Sequence, residues 1–270
     1  MSFFTSLGGM KNAETDLRVI SHNIANAETA GFKKSNAQFS DLVANGSAND
    51  PRRTPGIGAA VSSINQDFSL GPIEQTGRSL DVSINGGGFF ATANPISGDL
   101  AFTRNGNFQI DANGSLQDAN GDLVQAYPVD ATGTVTGTTP ADATIPTTNA
   151  AGATLSSVSI ARNGVVTAAY TDGTTEPVAA VALATFPAAN GLRSIGQTKW
   201  EATGDSGAPV YGAPGIGNVG DLLSGTLERS NVDLAEEMVS LLTAQRNFQA
   251  NARAIDTATA ISQTVLNLQR

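Results

Sequence analysis

The chain has 270 residues and carries 24 acidic against 15 basic side chains, which gives a net charge of −9 at pH 7. This acidic balance predicts no nucleic-acid partner, because surfaces that bind nucleic acid are basic. The sequence has no run of about 18 apolar residues, which predicts no membrane insertion. It also has no cysteine, which excludes disulfides, thiol catalysis and thiolate metal sites.

The first segment, residues 1–30, has apolar side chains at a seven-residue spacing. This spacing is typical of a coiled-coil seam and is narrower than the stripe of a helix that covers a large core. It predicts an amphipathic helix whose apolar positions contact other helices. The predicted interface positions on this helix are Phe3, Leu7, Met10, Leu17, Ile20 and Ile24.

The range 31–70 predicts an extended connector. Gly31 stands where a glycine that terminates a helix is expected. The segment after it mixes polar residues with a Pro/Gly patch that includes Pro51, Pro55, Gly56 and Gly58. Such a composition favours a chain without a core of its own.

Residues 71–228 predict an antiparallel β domain that is rich in Gly and Asn turns. Leu80, Val82 and Ile84 alternate with polar residues, as in half-buried strands, and repeated Asn-Gly pairs are typical of tight hairpins. Phe90 and Trp200 are interpreted as core anchors.

Two parts of this β domain differ from the rest in composition. Thr, Ala, Gly and Pro dominate residues 131–154, which predicts a surface loop or a small insertion at about 128–157. Residues 105–228 carry three bases against eleven acids, so the domain is expected to be acidic.

The last segment, residues 229–270, repeats the seven-residue apolar spacing of the first. Ser230 to Asp233 fits a capping box, which places the start of a helix there. Frequent alanines after residue 243 keep this helix thin, so that partners can approach closely. The predicted interface positions on it are Leu234, Met238, Leu241, Phe248, Ala252, Ile255 and Leu266.

The predicted fold class is therefore mixed and mainly β. A discontinuous coiled-coil domain contains both terminal helices (1–30 and 229–270), and an antiparallel β domain lies between them in the chain. Because each apolar strip is too narrow to bury a helix alone, we expect the strips to pack on each other and on neighbouring subunits. The alternative is an ordinary two-helix hairpin packed on its own domain.

No residue pattern predicts catalysis, a cofactor or a metal site. Residues 215–220 match G-x-G-x-x-G, but the flanking sequence predicts neither the preceding strand nor the following helix that a dinucleotide site needs. His22 is the single histidine, which excludes multi-histidine metal sites. A soluble β-rich carbohydrate-active enzyme with a carboxylate pair remains an alternative, because spatial pairing of carboxylates is not visible in a sequence.

Several motifs, in order along the chain, resemble the axial proteins of the bacterial flagellum, which are the rod and hook subunits. The first is a motif from His22 to Asn26 that is followed by Thr29 to Lys33. The others are the segments Gly86 to Phe90, Thr103 to Phe108 and Gln245 to Asn251. The N-terminal motif positions are Asn23, Ala25, Asn26, Thr29, Gly31, Phe32 and Lys33.

Within the family, the chain resembles the hook subunits most. This likeness is found in four short segments: Ser2 to Phe4, residues 31–34, residues 76–81 and residues 264–268. His22 departs from the asparagine that is usual in the family. The chain is also short for a hook protein, because it has room for little outer domain beyond 128–157.

The resemblance implies a hollow helical homopolymer with the terminal helices in its inner tube. It implies passage through the flagellar export apparatus without a cleaved signal peptide, and a place in the extracellular hook or the basal body. The implied partners are further copies of the chain, rod proteins, the hook cap and hook–filament junction proteins. A distal or proximal rod subunit is the alternative within the family, although the connector is short for a distal rod subunit.

Overall fold

The computed structural model describes residues 2–43, 56–217 and 219–268, and they form two compact units. The terminal unit contains Met1–Ala27, Lys34–Asp67 and Val232–Arg270, and the β unit contains Glu28–Lys33 and Phe68–Asn231. The chain thus passes between the units at four places.

The terminal unit consists of two helices and a β-hairpin. Helix α1 packs against helix α2 and also against the hairpin, whose strands β1 and β2 are antiparallel from the pair Ser35–Gln66 to the pair Val43–Gly56. The elements of the terminal unit are α1 (Ser2–Ala25), β1 (Ser35–Val43), β2 (Gly56–Gln66) and α2 (Leu234–Leu268).

Helix α2 begins one residue after Asp233. The Asp233 carboxylate accepts hydrogen bonds from the backbone N–H groups of Ala235 (2.8 Å) and Glu236 (3.3 Å), which have no partner inside the helix. The cap therefore lies at the end of the predicted capping box and not at Ser230. Glu236 and Glu237 in the first turn also interact favourably with the helix dipole.

The hairpin of β1 and β2 occupies the segment that the sequence predicts to be an extended connector. The sequence shows no strand pattern there because β1 is exposed along most of its length, so its side chains need not alternate between apolar and polar. The prolines of the predicted Pro/Gly patch, Pro51 and Pro55, lie outside the described residues.

The β unit consists of short strands and one 3-10 turn (Ala189–Gly191). Its strands are β3 (Ile73–Gln75), β4 (Val82–Asn85), β5 (Phe89–Ala93), β6 (Leu100–Thr103), β7 (Phe108–Ile110), β8 (Leu116–Asp118), β9 (Leu123–Tyr127), β10 (Ala141–Asp142), β11 (Leu155–Ile160), β12 (Val165–Tyr170), β13 (Thr175–Val181), β14 (Leu183–Thr185), β15 (Arg193–Gly196), β16 (Lys199–Glu201), β17 (Val210–Gly212), β18 (Asp221–Ser224) and β19 (Thr226–Glu228).

The main sheet has the strand order β11-β12-β13-β9-β5-β6-β16-β15, and its neighbours are antiparallel. Strands β10, β14, β17, β7 and β8 attach beside this path, while β18 pairs with β4 and β19 pairs with β3. The predicted combination of terminal helices with an antiparallel β body is thus confirmed.

Asn-Gly turns close several of these hairpins. Asn113-Gly114 joins β7 to β8, Asn120-Gly121 joins β8 to β9, and Asn163-Gly164 joins β11 to β12. The three glycines have φ values between +82° and +88°, a region that residues with a side chain rarely adopt. The turn chemistry that the sequence predicts therefore fixes these connections.

The core of the β unit contains the predicted anchors. Phe90 and Trp200 are buried, and the Trp200 ring lies 5.7 Å from the Phe89 ring in an edge-to-face arrangement. Ala143 and Ile145 are also buried in this core, although they belong to the predicted surface loop at 131–154. Composition alone does not reveal two apolar side chains that enter the core from a segment rich in Thr and Gly.

Candidate functional site

The predicted interface positions divide into two groups in the terminal unit. One group is covered within the subunit: Ile20 is buried, and the half-buried members are Leu7, Met10, Leu17, Ile24, Leu241, Phe248, Ala252 and Ile255. The other group is exposed and consists of Phe3, Leu234, Met238 and Leu266. One subunit therefore buries only part of the two apolar strips.

The most buried row of α2 includes residues that the apolar spacing does not mark. Ala244 is 1% exposed and Glu237 is 6% exposed, and both lie on the same side of the helix as Leu241 and Phe248. Asn251 approaches α1 so closely that a Cβ on Gly9 would lie 2.5 Å from its Oδ1 atom. The apolar spacing predicts Leu241 and Phe248 but not Glu237 and Ala244, because one of these is charged and the other is small.

A continuous apolar surface remains uncovered on the first half of α2. Leu234, Met238 and Leu242 follow each other at four-residue intervals, and Val239 lies beside them; their exposed fractions run from 44% to 65%. We call these four residues the α2 stripe. Grouped exposed apolar side chains of this kind mark interaction surfaces.

Asn23 of the N-terminal motif joins α1 to the hairpin. Its Nδ2 donates to the backbone oxygen of Ser35 (2.8 Å), and its Oδ1 accepts from the backbone N–H of Ser35 (2.9 Å). Asn23 is 1% exposed, and an amide is the side chain that offers a donor and an acceptor at this spacing. Asn26, near the end of α1, donates to the backbone oxygen of His22 (2.9 Å).

Two carboxyl groups of the terminal unit are held away from water. Burial raises the pKa of Glu237, although a hydrogen bond with Asn23 opposes this effect, and burial also raises the pKa of Asp16. Both side chains line a recess between α1, α2 and β1. The charged form of Glu237 is thus less stable in the folded protein than in water.

This shift predicts a pH-dependent stability. Because the folded-state pKa of Glu237 is raised, its destabilising effect appears as pH rises above the ordinary value of 4.5 and is complete above the folded pKa. We expect Glu237→Gln to raise the free energy of unfolding of the helices at pH 7.5 and to have little effect at pH 4. Circular dichroism during urea unfolding measures this, with Glu14→Gln at an exposed position of α1 as the control. An equal gain at both pH values would contradict the prediction.

Residues Thr29 to Lys33 of the motif belong to the β unit. Gly31 has φ of +70°, and its backbone N–H donates to the backbone oxygen of Glu228 (2.8 Å). A Cβ at Gly31 would lie 2.5 Å from the backbone nitrogen of Asn105. Only glycine meets both requirements, which explains the residue at this motif position.

A buried charge cluster follows directly after this glycine. Lys33 Nζ lies 2.5 Å from Glu228 Oε1 and donates to the backbone oxygen of Ser69 (2.6 Å). Arg104 Nη1 lies 3.4 Å from the other oxygen of Glu228, and burial lowers the pKa of Arg104. Glu228 Oε1 also accepts from the backbone N–H of Gly71 (2.9 Å). One buried carboxylate therefore holds together segments that are far apart in the sequence.

Substitutions can separate the two requirements at Gly31, which are the positive φ and the lack of room for a Cβ. Gly77 has a similar φ of +76°, but a Cβ there would meet nothing within 4 Å. We expect Gly77→Ala to cost about 1 kcal/mol through backbone strain alone. Gly31→Ala should cost several times more, because it also forces apart two backbone segments. Urea unfolding followed by the fluorescence of Trp200 measures both, and equal losses would contradict the close approach at Gly31.

Three family models match the chain, one at its N-terminal helix, one in the β unit and one at its C-terminal helix. The "Flagella basal body rod protein" model matches residues 4–33, the "Flagellar hook protein FlgE/F/G D1 domain" model matches 83–168, and the "Flagellar basal body rod FlgEFG protein C-terminal" model matches 223–268. A basal-body rod protein FlgG of Bacillus subtilis is 36% identical over 281 aligned positions, which cover 100% of this chain and 99% of that protein. The chain belongs to the flagellar rod and hook protein family.

Rod and hook members of the family both match over the whole chain. The FlgG rod protein of Borreliella burgdorferi is 30% identical over 285 positions, covering 100% of this chain and 98% of that protein. The hook protein FlgE of Salmonella typhimurium is 27% identical over 413 positions, covering 100% of both chains. Since this chain has 270 residues, at least 143 of those positions (413 − 270) are gaps in it.

These gaps lower the percentage identity with the hook protein, because gap positions count in the alignment length. An identity of 27% over 413 positions corresponds to about 111 identical residues, and 36% over 281 positions corresponds to about 101. The hook protein of Salmonella and the rod protein of Bacillus thus share similar numbers of identical residues with this chain. The family comparison does not separate hook from rod.

The family assignment settles the class of function. Flagellar rod and hook proteins are structural and non-enzymatic, so the chain is a structural component of the flagellum and the carbohydrate-active enzyme alternative is excluded. Among the residues that the structure describes, no helix is long and apolar enough to cross a membrane. The motif from His22 to Lys33, which contributes to the resemblance, lies wholly within one of the matched regions.

Proposed function

We propose that the chain is a structural subunit of the flagellar hook, and that it polymerises into a hollow helical tube that acts as a flexible universal joint between rod and filament. The observation that carries this proposal is the likeness of both chain ends to hook subunits. The shortness of the chain then reflects a reduced outer domain.

The exposed part of the terminal helices supports polymerisation. The α2 stripe has no covering partner within the terminal unit, and Phe3 and Phe4 on α1 are 40% and 74% exposed. Burying such side chains against a neighbouring subunit contributes about 1.5 to 3 kcal/mol for each large residue. The subunit interface therefore consists of the exposed interface positions Phe3, Leu234, Met238 and Leu266, while the half-buried positions hold the two helices of one subunit together.

A tube requires an interface of a particular symmetry. When one surface of a subunit binds a different surface of the next and the rotation does not close, the product is an open helical filament. The α2 stripe and the N-terminal phenylalanines are different surfaces on different helices, which suits such a heterologous contact. The neighbouring subunits in the tube are the first of the proposed partners.

The other proposed partners follow from a place in the hook. Rod proteins lie at one end of the tube, and the hook cap and the hook–filament junction proteins lie at the other. The chain reaches this place through the flagellar export apparatus.

The bending compliance of the joint is assigned to the segment around residues 45–58, and deletion of that segment should stiffen the tube.

A rod subunit is the second candidate, and a specific observation favours it. The FlgG relatives align with this chain from end to end with few gaps, whereas the hook relative requires long ones. A rod subunit would use the same terminal helices in a rigid shaft.

Electron microscopy of basal bodies separates the two candidates. In cells that lack the protein, negative-stain images should show a completed rod without a hook if the chain is a hook subunit. An incomplete rod would overturn the hook proposal and establish the rod alternative. Complementation with the unaltered gene should restore the missing part, which controls for effects on other flagellar genes.

A further inference from the structure

The turn between β5 and β6 presents a single large apolar side chain on a rigid support. Ile96 is 96% exposed, more than any other large apolar residue of the described chain. Its backbone N–H and that of Ser97 donate to Asn94 Oδ1 at 2.9 and 3.1 Å, and Gly98 closes the turn with a hydrogen bond of 2.9 Å to the Asn94 backbone oxygen. A fixed turn holds Ile96 in water, where its burial would be favourable.

A groove in the same β unit has the complementary character. It has a volume of about 1100 Å³ and lies beside the turn between β11 and β12. Its lining is mostly apolar and includes Tyr127, Val135, Val165, Tyr211, Pro214 and Ile216. Ile216 at its rim is 68% exposed.

The turn and the groove lie at opposite ends of one strand. Ala93, just before the turn, pairs with Leu123 at the start of β9, whereas Tyr127 at the end of β9 lines the groove. Four steps of a strand separate these ends by about 13 Å. A subunit therefore carries a projecting apolar turn at one end of its sheet and an apolar recess towards the other end.

Charges at the two places are also complementary. Asp99 follows the turn and is exposed, and Arg162 lines the groove. The other bases between residues 105 and 228, Arg193 and Lys199, are paired with carboxylates, whereas the described residues provide no ion pair for Arg162. Asp221 also lines the groove but forms no ion pair with Arg162 in the described chain, so Arg162 remains available to an approaching Asp99.

We propose that the Ile96 turn of one subunit docks in this groove of a second copy of the chain, with Asp99 beside Arg162 of that copy. A projection that fits a recess elsewhere on an identical molecule gives a head-to-tail contact, which propagates a filament when the rotation between neighbours does not close into a ring. This inference rests on the proposed polymer function. It adds an interface of the β unit to the interface of the terminal helices.

Cysteine cross-linking tests this contact directly, since the natural chain has no cysteine. The double variant Ile96→Cys/Thr138→Cys places one thiol on the turn and one at the exposed groove residue Thr138. The purified full chain is assembled at high concentration in ammonium sulfate, which strengthens apolar burial, and is then oxidised. We expect a ladder of covalent oligomers on a non-reducing gel. Each single variant, and the control pair Ile195→Cys/Thr138→Cys from the exposed strand β15, should give at most dimers.

The critical concentration for assembly provides a second test of the docking contact. Ile96→Ser should raise the critical concentration for assembly about tenfold, while Ile195→Ser, a matched loss of an exposed isoleucine, should leave it unchanged. The charge reversals Asp99→Arg and Arg162→Asp should each weaken assembly, and the double reversal should restore it.

The outcomes distinguish this inference from the proposed function. If the natural chain forms tubes but the double-cysteine variant gives no ladder and Ile96→Ser assembles normally, the docking contact is overturned and the polymer function stands. If the natural chain forms no polymer under any assembly condition, the proposed function fails and the docking contact with it. A ladder together with a raised critical concentration for Ile96→Ser supports both.

Discussion

The Met238→Asp variant is expected to remain monomeric at concentrations at which the natural chain polymerises. Met238 lies in the α2 stripe and is 47% exposed, so the monomer tolerates a carboxylate there. In the polymer the same side chain would be buried against a neighbouring subunit, and an unpaired buried charge costs several kcal/mol. Sedimentation and electron microscopy of assembly mixtures measure the loss.

A matched control comes from the opposite face of the same helix. Asn247 lies nine residues after Met238, which is half a turn away around an α-helix, and it is already polar and exposed. Asn247→Asp adds the same charge without removing an apolar contact, so it should assemble. Circular dichroism should show equal helix content in both variants. Assembly of Met238→Asp at normal yield would remove the α2 stripe from the subunit interface.

Met238 provides a sharper test than the heptad positions Leu241 and Phe248. Both of those side chains are half-buried within the subunit, so a charge there would also disturb the packing of α2 against α1. A failure to assemble would then have two explanations. The structure thus selects, from the predicted interface positions, those whose substitution affects the polymer alone.

The helices and many of the turns could be predicted because their signals are local. Seven-residue spacing marks both helices, and Asn-Gly pairs mark hairpins such as the one closed by Asn113 and Gly114. The sequence could not predict which apolar residues of the helices are covered and which are exposed, because this depends on how α1, α2 and the hairpin pack against each other. Leu234 and Leu241 belong to the same heptad row and are equally apolar, yet α2 is covered more at Leu241.

The role of the motif after α1 was hidden for a different reason. The sequence marks Lys33 only through a family resemblance, because its partner Glu228 is 195 residues away. Nothing in the spacing of charged residues reveals which of the carboxylates a lysine will meet. Long-range polar pairs are specified by the fold as a whole, and only the structure shows that this motif is a folding element of the β unit.

Removal of the negative charge at Glu228 should strongly destabilise the β unit. Glu228→Gln keeps the size of the side chain but leaves Lys33 and Arg104 buried without their counter-charge. Breaking a buried ion pair by changing one partner costs roughly 3 to 5 kcal/mol. For a unit of this size, that loss lowers the melting temperature by on the order of 10 °C.

The matched control is Glu201→Gln. The Arg193–Glu201 pair has the same distance of 2.5 Å as the Lys33–Glu228 pair, but the Arg193 side chain is 66% exposed and the Glu201 side chain 43%. An exposed pair contributes about 0 to 1 kcal/mol, so this variant should unfold almost like the natural chain. Trp200, the single tryptophan and buried in the β unit, reports both transitions by fluorescence.

A double-mutant cycle then assigns the loss to the buried pair. Lys33→Met alone leaves Glu228 paired with Arg104 and should cost less than Glu228→Gln. Adding Lys33→Met to Glu228→Gln removes an uncompensated buried charge, so the double variant should be more stable than Glu228→Gln alone. If the two losses simply added, the destabilisation would not come from an unpaired lysine, and the cluster would not be the electrostatic anchor of the motif.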